Sequence, residues 1–170
     1  MIVSAAQGLG GVRIVLESEE AMLLAEFAGQ VVTVLEQEAH TDPALDRLFP
    51  DAYVDDDRAS EEFRRYTRED LAQSKRDAAA AVRDATQTEE DRGIVDIELD
   101  QAASWGWLTF LTDLRLILAE RTGIIADEPD DAEPVTEPIT ERDGYMRAAY
   151  EWVGFVQGSM LEVLDPTNER

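Results

Sequence analysis

Two short stretches of this chain alternate apolar and polar residues, and several long ones repeat apolar residues at helical spacing. In "VRIVLES" Val12, Ile14 and Leu16 fall on one side, and in "IVDIELD" Val95, Ile97 and Leu99 do the same. A period of two marks a strand with one buried face. Each is followed by a polar residue suited to cap a helix, Ser18 or Asp100, and then by a long periodic segment. The repeated strand–helix pattern predicts that the two strands pair into a small ribbon. Such a ribbon is marginal alone and needs helices packed on it.

Residues 19–38 set Leu24, Phe27, Ala28, Val31 and Leu35 on one stripe, as an amphipathic helix requires. Residues 58–85 read as a charged helix with few large apolar groups and a break near Thr67. Residues 101–121 are apolar round most of the circumference, and 143–164 carry Met146, Ala149, Val153, Val156, Met160 and Val163 at helical spacing. Between the last two, Pro129, Pro134 and Pro138 among acids predict a solvated, mobile loop over about 125–142, and the end, 165–170, is expected to fray. The pattern predicts one α+β domain over residues 1–170, predominantly α-helical, with its helices packed around a two-stranded β-ribbon.

Composition narrows the function. The 170 residues carry a net charge of −23, which repels phosphate backbones and anionic membranes, so direct nucleic-acid binding is disfavoured. With no cysteine, thiolate nucleophiles, disulfides and cysteine-held metals are excluded. His40 is the sole histidine, and beside acids at a helix end it reads as a surface or capping residue. No run approaches a membrane span, and "MIVSAAQGLGG" lacks the basic start of a signal peptide, so the chain reads as cytoplasmic. "GLGG" precedes a strand instead of joining a strand to a helix, which is wrong for a phosphate loop. No G-x-S-x-G elbow is present.

Four features remain as candidates. Asp55, Asp56 and Asp57 could ligate a hard cation and serve a metal-dependent hydrolase with Glu61 or Glu62. Their spacing fits no calcium loop, and acids at a helix start oppose the positive end of its dipole, so a structural role is favoured and no metal or other cofactor is expected. Residues 58–83 hold Arg58, Arg64, Arg65, Arg68, Lys75, Arg76 and Arg83, a local excess of two positive charges on a body of −25. Such a patch can dock an acidic protein surface or pair internally, for instance Glu61 with Arg65. Arg115 sits inside the most apolar helix and calls for a carboxylate such as Asp55, or for a contact across an oligomer interface. Trp105, Trp107, Phe110, Trp152 and Phe155 crowd the last two helices, and either ordinary core or a second copy of the chain, a homodimer, would cover them.

The stretch "DPALDRLFPDAYVDDDRASEEFRRYTREDL", residues 42–71, resembles the actinobacterial family known as domain of unknown function 2017. "WLTFLTDLRLILAERTGI" and "AAYEWVGFVQGSMLEVL" look like later blocks of that family. No catalytic residues are established for it, so the resemblance carries none over. Its members tend to be encoded beside the Clp-protease adaptor, and some are described as oxidative-stress-responsive transcriptional regulators that act through partner proteins and sense oxidants with paired cysteines. The resemblance therefore implies a non-enzymatic regulator whose partner belongs to the transcription machinery or is Clp-related. This chain departs from it in having no cysteine, so a thiol switch is not available to it. On this reading "LFPDAYVDDD" is a structural turn anchored by Leu48, Phe49 and Tyr53, and partner binding falls to Arg58, Arg64, Arg65, Arg68 and Arg76.

Overall fold

The computed structural model describes residues 1–8, 10–36, 42–50, 57–87, 93–124 and 140–165, with backbone alone over 57–66. Three strands, β1 (Ile2–Ala5), β2 (Val12–Glu17) and β3 (Ile94–Leu99), form an antiparallel sheet in the order β1-β2-β3. Among the described residues five helices pack with it: α1 (Ser18–Leu35), α2 (Pro43–Leu48), α3 (Asp57–Thr86), α4 (Gln101–Thr122) and α5 (Glu141–Leu164).

The expected pairing of β2 with β3 is present, in a register that sets Val12 opposite Leu99, Ile14 opposite Ile97 and Leu16 opposite Val95. These residues make the buried face; on the other, Arg13 donates to both carboxylate oxygens of Asp96 at 2.8 and 2.6 Å. The sheet has three strands, however, and not two. β1 adds to the free edge of β2 through a turn in which Gly8 and Gly10 take positive φ values of 78° and 60°. "IVSA" is too short to alternate, and the glycines that make the turn read from sequence as a mere prelude to β2. Gly11 is needed for a different reason: a Cβ there would lie 2.1 Å from the Leu99 carbonyl oxygen.

α1 and α4 each leave their strand directly. The Asp100 side chain accepts from the Ala103 N–H at 2.7 Å, as an N-cap should, and Gly123 closes α4 at φ 66°. α2 is a helix that periodicity did not reveal, because six residues span too few turns. Its start is nonetheless written in "DP": Asp42 caps it, accepting from Ala44 N–H at 3.0 Å, and Pro43 opens the first turn. α3 runs unbroken through Thr67. The loop expected to reach 142 gives way at Thr140, whose hydroxyl and Asp143 cap α5 reciprocally; residues 125–139 and 166–170 lie outside the described residues. Within the core, Phe27, Leu24 and Val31 of α1 meet Phe110, Leu111 and Leu114 of α4, Val153 and Met160 of α5, and the apolar side of the sheet. Among the described residues no helix is long and apolar enough to cross a membrane.

Candidate functional site

The charged helix α3 is the foremost candidate for a partner surface, and several of its described cations are engaged within the chain. Arg76 donates to Glu69 at 2.7 Å and to Gln73 at 2.9 Å, along its own helix. The Arg68 guanidinium lies 5.0 Å from the centre of the Phe49 ring, a cation–π arrangement that ties α3 to the end of α2. Arg58, Arg64 and Arg65 belong to the part of α3 described as backbone, and Asp55 and Asp56 lie outside the described residues. The metal reading of that aspartate stretch therefore falls on side chains outside the described residues. Among the described residues no group of three potential ligands could hold a metal ion.

The one lysine does something the sequence did not announce. Lys75 Nζ reaches across to α4 and meets Asp113 Oδ1 at 2.5 Å. Asp113 is only 3% exposed, and its second oxygen, Oδ2, finds no hydrogen-bond donor among the described residues. Burial pushes this carboxyl above its ordinary range, and the Lys75 ammonium pulls it part of the way back. The ammonium also stands 5.9 Å from the Phe49 ring centre, so Phe49 packs against two cations of α3, Arg68 and Lys75. Two sequence signals existed: Lys75 is unique, and Asp113 is the first charge after twelve uncharged residues of α4. Nothing in the linear order joined them.

Arg115 lies on the seam between α4 and α5. Nη1 donates to Gln157 Oε1 at 2.9 Å and Nη2 to the Tyr150 hydroxyl oxygen at 3.0 Å, with the guanidinium 4.7 Å from the Tyr150 ring centre. The described groups around it are thus neutral, and Asp55, the carboxylate expected to meet it, lies outside the described residues. Gln157 also donates to Thr112 Oγ1 at 2.7 Å, and Arg147 to the Thr122 carbonyl at 3.3 Å. Those pairings fix α4 and α5 antiparallel, bringing the end of α5 beside the start of α4.

The crowded aromatics divide cleanly. Trp107 and Phe110 are core, and Trp152 packs half-buried against it. Trp105 is 52% exposed and Phe155 64%, with Leu161 at 45%. Trp105, Thr109 and Thr112 follow one another at helical spacing on the outside of α4, and Thr112 borders the α5 row of Gly154, Gln157 and Leu161. From Gln101 to Thr112 α4 has no charged residue, although it leaves Gln101, Ala102, Trp105, Thr109 and Thr112 exposed. On a chain of net charge −23, this is a neutral surface strip bearing a tryptophan.

No curated protein and no solved structure matches the chain significantly. A family model, described as domain of unknown function (DUF2017), matches residues 4–164, nearly the whole chain, and the protein belongs to that family.

Proposed function

We propose that this protein is a non-enzymatic interaction protein, a transcription-associated regulator that works by holding a protein partner. The observation that carries the reading is the neutral α4 strip with Trp105 exposed at its centre and Leu161 across the seam. Exposed tryptophan on a face free of charge is the composition of an interface centre, where charged residues are depleted and aromatics anchor the contact. A partner approaching anywhere else on a strongly acidic body meets repulsion unless it is basic. The transcription-associated part of the reading rests on the resemblance of residues 42–71 to a family with such regulators among its members. Because the chain has no cysteine, its trigger is something other than thiol oxidation.

A basic contact by Arg58, Arg64 and Arg65 is compatible with this and secondary to it. Arg68 and Arg76, drawn to Phe49 and Glu69, are the poorer candidates. The test is a quantitative pull-down from lysate of the source cell with three baits: wild type, Trp105→Glu with Leu161→Glu, and Arg64→Glu with Arg65→Glu. The expected result is one protein enriched by wild type and lost by the folded Trp105/Leu161 variant. Capture of the same set by all three baits contradicts the proposal.

A further inference from the structure

α4 packs against both α1 and α5, whereas α1 and α5 make few close contacts with each other. A groove of about 250 Å³ opens there. Leu114, Ile117 and Leu118 of α4, Val34 of α1 and Met146 of α5 line it. Two cations stand at the mouth, Arg121 at the end of α4 and Arg142 at the start of α5, with Tyr145 beside them.

The charges are what make the groove specific. Arg121 already holds one carboxylate: its Nη2 donates to Asp42 Oδ2 at 2.5 Å, which leaves the rest of its five N–H donors to be satisfied. Arg142 is exposed and makes no ion pair within 4 Å among the described residues, although it stands close enough to Asp143 to help lower that carboxyl. An apolar trough with a guanidinium at its lip matches a molecule with an apolar body and an anionic head. The planar fork of arginine suits a carboxylate in particular, because two parallel N–H donors meet its two oxygens. The volume lies just below the roughly 300–1,000 Å³ of drug-sized ligand sites, so a single ring or a medium-length chain fills it and a nucleotide does not.

We propose that this groove binds a small amphiphilic monocarboxylate, apolar end down on Leu118 and Ile117 and carboxylate toward Arg142. The inference stands on the groove and is independent of the docking strip on α4, which lies nearer the opposite end of that helix. A bound carboxylate would bridge α4 and α5 and offset the charge of Arg142.

The experiment is calorimetric titration of the purified chain with sodium octanoate below its micelle concentration, beside acetate, which lacks the body, and octanol, which lacks the charge. Saturable binding of one octanoate per chain is expected, with octanol weaker by roughly tenfold or more, the worth of a charged hydrogen bond, and acetate weaker by at least as much for want of the buried chain. Arg142→Glu, a change at an exposed position, should weaken octanoate by at least as much and leave octanol unaffected. Met146→Trp should fill the groove and abolish binding. Absence of saturable heat, binding of several molecules per chain, or octanol binding as tightly as octanoate would each overturn the proposal. So would full octanoate affinity in Arg142→Glu, which needs no assumption about how Met146→Trp folds.

Discussion

Replacing Lys75 with methionine leaves the chain length and most of the apolar stem in place but strands Asp113 in the core. At 2.5 Å the attraction between the two charges is about 7 kcal/mol for an effective dielectric constant of 20. Most of that offsets the cost of taking a carboxylate and an ammonium out of water, which is several kcal/mol for each ion. The net worth of the pair is therefore small, but the cost of breaking it from one side is not: a lone buried charge typically costs about 3–5 kcal/mol. The two partners also differ. Asp113 is fixed to the middle of α4 with one oxygen lacking a donor among the described residues, whereas the Lys75 side chain keeps 17% of its surface in water and can swing outward. Lys75→Met should thus cost about 3 kcal/mol or more, Asp113→Leu clearly less, and the double variant less than the sum. For a chain of this size, a loss of about 3 kcal/mol lowers Tm by roughly 6–12 °C.

The pH dependence has a definite sign. Burial raises the Asp113 carboxyl, so the folded state holds its proton more tightly than the unfolded state does. Its stabilising contribution is full below the ordinary carboxylate range and is lost as pH rises through the raised value. Without Lys75 that value climbs further, so the penalty of Lys75→Met is greatest at neutral pH and shrinks as acid neutralises Asp113. Urea unfolding of the four proteins at pH 7 and pH 5 gives the complete cycle. Strictly additive single variants, or a Lys75→Met penalty that grows on acidification, would refute the buried-pair reasoning.

Other consequences are simpler to read. Asp42→Ala removes both the α2 cap and the partner of Arg121, and should cost about 1–2 kcal/mol by chemical denaturation. Because Arg121 holds the Asp42 carboxyl below its usual range, that contribution is present at neutral pH and disappears as pH falls through the lowered value; an unchanged difference in acid would contradict it. Gly11→Ala should prevent normal closure of the sheet, since its Cβ would collide with the Leu99 carbonyl oxygen; a wild-type melting curve would show that the strands do not approach so closely. Gly123→Ala, at φ 66°, should lower stability by about 1 kcal/mol with no change in fold, measured the same way.

How much of this was legible in the sequence varies with range along the chain. β2, β3, α1, α4 and α5 each repeat one period over enough residues to be seen. Asp100 caps α4 as expected, whereas α1 takes Glu17 as its N-cap and Ser18, the expected cap, is its first helical residue. β1 and α2 fell below that length, though "DP" before α2 and the glycines after β1 were local signals of a helix start and a turn. The core aromatics could not be sorted from the exposed ones by spacing alone. Trp105 and Trp107 are two residues apart on one helix, and only the packing of α5 and the sheet decides that one is buried and the other is not. The pairing of Lys75 with Asp113 joins residues 38 apart through tertiary contact, which no local pattern encodes. Arg76, one of the expected partner-binding residues, reaches back to Glu69, seven residues earlier on its own helix. Two turns of one helix place such residues side by side, so this pairing could have been found from the sequence.

The central claim is that the neutral strip on α4 meets a protein partner, and site-specific photocrosslinking in living cells tests it most directly. p-Benzoylphenylalanine would replace Trp105 in one strain and the exposed Asp84, near the end of α3, in another. The account predicts a discrete higher-mass adduct on irradiation at position 105 and none at position 84. No adduct at 105, or the same adducts from both positions, would contradict it.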